Sequence, residues 1–492
     1  MNGNRFLLKI KTFFIVSVIG IFCFSGILYA QFASDTLVND DGSAFEQLLR
    51  NGIPSIAIHG DTVYSTWQDA RAGAATSNTI GYDVYFAKGT VDSTGKITFG
   101  TNVRVNDTAQ SASSGHTAVP SIAVASDGTI FIVWKDDRDQ SNSDGESIYL
   151  ARSVDGGTSF LANQKIDILP STEAYRHRRS PRVAAADGYV YVTFGKGLSE
   201  ALEISISSDN GVTFGSVQEI LSLPADESVI AADGSYVYIA SVLTISQGVG
   251  LPSKSNVMLY VSSDHGQTFG TGMLINDDGM DKQPQDISMA AAGDNLYLAW
   301  RDNRNVTTGV SGGYYVYGAI SHDRGATFGA NVLLSPDLAS VTNTSDDNRN
   351  APTVSASGDN VAVSFYGVLN TYKSVIARIS TDKGTTWTSE TMVSDAFSRP
   401  SIGPSSIAVS NSMACVLWQA DGKYAGNTGT GNNIYASGYV FGTPSAGCPA
   451  NVNEFNTATS VLKLKSICID GVYYVGEIEL ILNFISGTFQ IK

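Results

Sequence analysis

Ser153-Val154-Asp155-Gly156-Gly157-Thr158-Ser159-Phe160 decides the fold, because its pattern returns in register at Ser207 to Phe214, Ser262 to Phe269, Ser321 to Phe328 and Ser380 to Trp387. Each copy places Ser first, Asp third, Gly fifth and an aromatic ring eighth. These residue types prescribe a tight turn between two strands. The carboxylates of Asp155, Asp209, Asp264, Asp323 and Asp382 accept backbone N–H groups across the turn. Gly157, Gly211, Gly266, Gly325 and Gly384 supply positive φ, the hydroxyl residue bonds locally, and the ring packs beneath. A degenerate copy, Asp92 to Phe99, carries one extra residue. The role of these boxes is architectural.

Working outward, each box belongs to a larger unit. A Pro-led or acidic-led apolar strand comes first, then a strand whose V-Y pattern ends in Trp. A variable loop, an alternating third strand, the box and a short strand often ending in Asn-Asp complete it. First strands begin near Pro54, Pro120, Pro181, Glu227, Pro284, Pro352 and Pro404. That spacing fits four-stranded propeller blades with variable loops. The expected class is therefore all-β, a β-propeller with seven blades, six being the alternative. Ser34 to Asp40 precedes every first strand, and its Leu37-Val38-Asn39-Asp40 repeats the ending Val103 to Asp107 and Leu274 to Asp277. It is expected to complete the last blade, whose third strand is Asn433 to Val440, and so to close the ring. Residues 31–444 form the propeller; residues 445–492 read as a small β appendage of strands Val461 to Ile469, Val472 to Leu482 and Thr488 to Ile491.

Composition agrees. The 492 residues are 16% charged and 43% hydrophobic, with 49 Gly and few Lys or Glu, which argues against long solvated helices. The net charge of −15 argues against a nucleic-acid partner and makes polyanions poor ligands for the surface as a whole. Residues 1–30 carry Arg5, Lys9 and Lys11, then an uncharged apolar run from Phe13 to Leu28, then Leu28-Tyr29-Ala30. This is the pattern of a secretory signal peptide, an uncleaved anchor being the alternative and the sole route to a membrane. Removing it takes the charge from −15 to about −18. Secretion or display at the cell surface is the expected location. Cys415 sits in an apolar strand and reads as a buried thiol, which leaves Cys448 with Cys468 as the more plausible pair.

The boxes resemble the Asp-boxes, or bacterial neuraminidase repeats, of the sialidase-like β-propellers, and the resemblance runs from about residue 34 to 444. It implies a propeller with the boxes on the face away from the site. It also implies what a sialidase would need: three arginines gripping a carboxylate, a Tyr nucleophile with a Glu partner, and an Asp acid/base. The family's first arginine lies in a Phe-Arg-Ile-Pro motif, where this chain has Asn51-Gly52-Ile53-Pro54 and thus Gly52 in its place. If a site survives, the resemblance points to Arg179, Arg349 and Arg399 as the clamp, Asp69 as acid/base, Tyr366 as nucleophile and Glu227 as its partner. Arg176, Arg178 and Arg182 lie in the same loop region as Arg179, as does His177; His116 lies in a comparable loop.

Three second strands end in W-x-D-x-R: Trp67 to Arg71, Trp134 to Arg138 and Trp300 to Arg304. One reading makes Trp a wedge between blades and Asp with Arg a structural pair. The other makes them a ring facing a polar ligand. No cofactor is expected. Calcium is the alternative, since the acidic loops Asp277 to Asp281, Asp136 to Glu146 and Ser345 to Asp347 carry hard oxygen ligands, although none reproduces the D-x-[DN]-x-[DN]-G pattern followed by Glu, and no metal ligand is assigned. The reading that results is a non-catalytic module binding a glycan or a cell-surface protein. The alternative is an exo-α-sialidase or related glycoside hydrolase with a rearranged site.

Overall fold

The computed structural model of the protein describes residues 32–40, 54–69, 71, 82–108, 119–136, 138, 145–167, 176–196, 201–221, 227–245, 254–278, 284–304, 314–336, 351–369, 372–394, 402–421 and 432–441, and the strands 454–456, 461–469, 472–483 and 488–491. The propeller unit spans Phe32–Thr443. It has seven antiparallel blades, so the six-blade alternative falls.

Blade one is Ser55–His59, Thr62–Asp69 and Asp83–Val91, with Ile97–Phe99 and Val103–Arg104 sharing the outer position. Blade two is Ser121–Val124, Ile130–Asp136, Gly145–Ser153 and Gln164–Lys165. Blade three is Arg176–Ala186, Tyr189–Lys196, Ala201–Ser207 and Gln218–Leu221. Blade four is Glu227–Asp233, Tyr236–Ile245, Lys254–Ser262 and Met273–Leu274. Blade five is Gln285–Ala292, Asn295–Asp302, Tyr315–Ser321 and Val332–Leu333. Blade six is Thr353–Ser357, Asn360–Leu369, Tyr372–Ser380 and Thr391–Met392. Blade seven takes Ile402–Val409, Met413–Asp421 and Asn432–Val440 from one end of the propeller and Thr36–Leu37 from the other.

That last pairing closes the ring, with Thr36 opposite Ala436 and Leu37 opposite Tyr435. Bonds from Ala33 N–H to the Gly438 carbonyl (2.9 Å) and from Val38 N–H to the Ile434 carbonyl (2.8 Å) extend it.

The seams between blades hold the core. Second strands are the most buried: Val63, Ile130, Val190, Val237, Leu296, Val361 and Ala414 are all fully buried at one register position. Four positions further on stand Trp67, Trp134, Phe194, Trp300, Phe365 and Trp418, with Ser241 in blade four. The tryptophans wedge against the preceding blade. Trp134 packs with Tyr64, Val84 and Phe86 of blade one, and Trp300 with Val257 and Leu259 of blade four. Trp418 lies with Ala377 and Ile379 of blade six. Near the axis, first strands are tied by hydroxyls. Ser55, Ser121 and Ser288 each accept from a backbone N–H of the following blade, at Ile122 (3.3 Å), Val183 (3.4 Å) and Val354 (3.0 Å).

One sequence expectation holds and another shifts. The degenerate box Asp92 to Phe99 is a tight hairpin: Asp92 N–H donates to the Lys96 carbonyl, Gly95 N–H donates to the Asp92 carbonyl, and Ile97–Phe99 folds back on Gly89 to Val91. The first strand of blade three starts at Arg176 rather than near Pro181. Its extension pairs in parallel with blade two, Arg176 opposite Gly145 and His177 opposite Glu146.

The second unit comprises Met1–Gln31 with Pro444–Lys492. Its antiparallel sheet runs Glu454–Asn456, Val461–Ile469, Val472–Asn483, Thr488–Ile491 in sequential order, one strand more than expected. The signal-peptide reading and Cys448 lie outside the described residues, as does the side chain of Cys468. Cys415 is a free, fully buried thiol, and burial pushes its pKa up. No helix among the described residues is long and apolar enough to cross a membrane.

Candidate functional site

Because strands alternate in direction, second and fourth strands end on one face, here the top, and first strands begin there. The box turns end the third strands on the opposite face. Two repeated signatures meet at the top, and the structure decodes both.

The Asn of Asn-Asp bonds within its own blade. Asn39, Asn106 and Asn276 accept from the backbone N–H of Ile434 (2.9 Å), Val84 (2.8 Å) and Val257 (2.8 Å). Asp167 and Ser335 do the same for Ile148 and Val316. The Asp of Asn-Asp reaches the next blade instead. Arg138 donates to Asp107 (2.5 Å) across the seam and to Asp136 (2.6 Å) and Asn163 (3.1 Å) in its own blade, with its guanidinium 4.2 Å from the Tyr149 ring centroid. Arg71 repeats this with Asp40, Asp69, Asn102 and Tyr85. Arg304 repeats it with Asp277, Asp302, Asn331 and Tyr317. The central Asp also accepts from the wedge indole, at 3.0, 2.8 and 3.3 Å for Trp67, Trp134 and Trp300.

Burial opposes ionisation of Asp40, Asp107 and Asp277. The backbone N–H of Asn102, Asn163 or Asn331, together with the arginine, outweighs it and holds each carboxyl below the usual range. Burial likewise disfavours the cations of Arg138 and Arg304, and their aspartates reverse the balance and push both pKa values up.

Asp69 therefore lies inside a tie. It is 3% exposed, and its two oxygens accept from the Arg71 N–H, the Arg71 guanidinium and the Trp67 indole. Tyr366 is 7% exposed and packs in the seam with Trp418 and Val375. Its neighbour Phe365 turns to the other seam, beside Tyr297 and Val316. Glu227 begins the blade-four first strand opposite Val242, and Arg179 lies in the blade-three first strand opposite Gly195. The side chains of Glu227 and Arg179 are outside the described residues, as are Arg349, Arg399 and His116 entirely. Asp69 and Tyr366 stand on the second strands of blades one and six.

The channel mouth holds features that the motifs did not signal. First strands of blades three, five and seven are bulged near their starts, between Arg179 and Arg182, Gln285 and Ser288, and Ile402 and Ser405. Ser180 and Asp286, within the blade-three and blade-five bulges, take φ of 45° and 53°, and Val119, just ahead of the blade-two first strand, takes 45°, a costly conformation for residues with a Cβ. Bulges of this kind re-aim side chains at functional rims. At the blade-five entrance Asp286 forms an ion pair with buried Arg301, which also donates to the Gln285 side-chain amide oxygen Oε1 (2.9 Å) and lies 4.9 Å from the Tyr314 ring centroid. Arg301 shares the register position of Tyr366, directly after the wedge aromatic. Gln68, Lys135, Gly195, Val242 and Gln419 occupy it elsewhere. Comparing that column between repeats is the sequence signal that would have found it.

On the opposite face the box turns behave alike. Asp155 accepts from Ser159 N–H (3.0 Å), Ser159 Oγ (2.6 Å) and Ser153 Oγ (2.8 Å), while Gly157 N–H donates to Ser153 Oγ (2.9 Å). Hydrogen bonds from the following hydroxyl residue dominate at four of the five turns, and the Ser321 hydroxyl leads at Asp323. They hold Asp155, Asp209, Asp264, Asp323 and Asp382 down to about 2. Among the described residues no cluster of three or more His, Cys, Asp or Glu is placed to hold a metal ion.

No family model and no curated protein sequence matches the chain. Similar solved structures include a protein of unknown function from Dyadobacter fermentans, at 14% identity over 83% of this chain and 99% of that one, TM-score 0.47. The Hadza microbial sialidase Hz136 aligns at 13% identity over 74% of each chain, TM-score 0.45. The polysaccharide lyase Uly1 aligns at 11% identity over 84% and 98%, TM-score 0.49. Identities this low assign no activity.

Proposed function

We propose that the protein is an exported propeller that binds a glycan, or a glycan-bearing cell-surface protein, through its top face without cleaving it. One observation carries this reading: the carboxylate of each W-x-D-x-R ending is spent on an inter-blade tie. Asp69, which the sialidase resemblance offers as acid/base, has both oxygens committed to Arg71 and Trp67. Glycoside hydrolysis needs an acid free to protonate the leaving oxygen and a nucleophile that reaches the anomeric carbon. Asp69 is engaged and Tyr366 is buried against Trp418. The absence of an arginine at Gly52 points the same way. In this reading Arg179, Arg349, Arg399 and Glu227 contribute to ligand contact rather than to bond cleavage, and the box aspartates remain structural.

The test is a glycan array probed with the purified chain. A defined subset of glycans should be retained. Retention of none, in a sample whose folding is confirmed by circular dichroism, would overturn the reading.

A further inference from the structure

Blade seven has no box. The five full boxes end the third strands of blades two to six and join each to its own fourth strand. After Asn432–Val440 the chain reads Phe441-Gly442-Thr443-Pro444, and the fourth strand, Thr36–Leu37, arrives from the other end of the propeller within a strap of residues 32–40. The blade that closes the ring therefore lacks the covalent turn that the others share. The degenerate box, Asp92 to Phe99 with its extra residue, lies next to it in blade one.

The two irregularities meet. Gly95, in the tip of the degenerate hairpin, packs on the backbone of Gly438 near the end of the blade-seven third strand. A Cβ on Gly95, whose φ is 87°, would stand 2.6 Å from the Gly438 carbonyl oxygen, and one on Gly438 would strike the Gly95 carbonyl oxygen. Lys96, the next residue, reaches the start of the strap. Its ammonium donates to the Ser34 carbonyl (3.0 Å), Ser34 Oγ (3.1 Å) and the Asp35 carbonyl (2.9 Å), one acceptor for each proton. Asp92 shapes the hairpin for this grip, accepting from the Thr94 N–H (2.8 Å), the Thr94 hydroxyl (2.6 Å) and the Lys96 N–H (3.1 Å). The Thr36 hydroxyl adds a bond to the Ile97 carbonyl (3.1 Å). One hairpin thus holds both strand ends that a box turn would have linked.

Blade one grips the far end of the strap as well. Asp40 accepts from Arg71 (2.6 Å) and from the Asn102 N–H (2.9 Å), and the same arginine donates to Asp69. Undocking the strap would withdraw acceptors from Lys96 on the box face and Asp40 from Arg71 on the top face.

We propose that the hairpin of residues 92–99 is a clasp standing in for the missing box turn, with Lys96 as its lock, so that residues 32–40 dock and undock as a unit while the other blades stay folded. Segments held by a few contacts open locally at lower free energy than the whole domain unfolds. Release reaches the top face through Asp40 and loosens the tie of Arg71 with Asp69. The inference is independent of what the top face binds.

Native-state hydrogen exchange, read by mass spectrometry on the purified chain, tests this for the parent and for Lys96→Met. In the parent, residues 32–40 should exchange faster than the fourth strands of blades two to six. Lys96→Met should speed exchange in residues 32–40 about tenfold or more, with the fragment ending at Arg71 following, and leave those fourth strands unchanged. No change in residues 32–40, a rise shared equally by every blade, or a rise that does not extend to Arg71 would overturn the inference. Should the variant fail to fold, the parent alone decides: exchange in residues 32–40 no faster than in the box-joined fourth strands would overturn it.

Discussion

Gly157 and Gly188 have nearly the same backbone, φ 85° and 78°, in different surroundings. A Cβ on Gly157 would stand 2.5 Å from the ring of Phe86, itself buried and edge-on to Phe160, whereas a Cβ on Gly188 would meet nothing within 4 Å. Gly188→Ala should cost the left-handed penalty alone, about 1 kcal/mol. Gly157→Ala should add about 1–3 kcal/mol of overpacking, measured as a difference in urea midpoint. The box carboxylates predict a pH response. Their folded pKa of about 2 lies below the ordinary 3.8, so their stabilisation is fully present above the ordinary value and is lost as pH falls toward the folded one. Asp40, Asp107 and Asp277 act in the same direction. The thermal midpoint should hold above about pH 5 and drop between about pH 4 and pH 2. A steep loss above pH 5 would contradict this assignment. At this scale the box was fully legible, because its chemistry is local: donor, acceptor and φ all lie within eight residues.

Between elements, the signatures Asn-Asp and W-x-D-x-R proved to be two halves of one device. The sequence displayed both but could not join them, because Asp107 and Arg138 are 31 positions apart and belong to different blades. Removing Arg138 should show the coupling. Arg138→Met leaves Asp136, fully buried, without its cation, and a broken buried pair of this kind costs about 3–5 kcal/mol. Asp107→Asn acts on a carboxylate that is 44% exposed and should cost much less, about 1 kcal/mol. Equal effects in urea denaturation would show that the tie is not anchored at Asp136. The candidate clamp was less legible. Its arginines read from the sequence as loop residues, and a loop's position in the sequence does not fix which side chains converge. The ion pair of Asp286 with Arg301 has no motif to signal it, because a bulge brings it about.

For the whole molecule, closure is the property that depends on both termini of the propeller. The blade count followed from repetition alone, and the strap from the likeness of Leu37 to Asp40 to the outer strands of other blades. The joining of blades two and three did not follow, since it uses parallel pairing outside the repeat. Deleting residues 32–40 would leave the edge of Asn432–Val440 unpaired and strip Asp40 from Arg71. An open edge recruits other chains, so the truncated protein should lose its monodispersity in size-exclusion chromatography and unfold at lower temperature. Unchanged behaviour would mean that the strap is dispensable. The central proposal for the molecule is a top face that binds without cleaving. The measurement that tests it is hydrolysis of a fluorogenic sialoside and glycoside panel by the purified chain beside Tyr366→Phe. A face that binds without cleaving gives no turnover by either. Turnover by the parent that Tyr366→Phe abolishes would contradict it and make the protein a hydrolase.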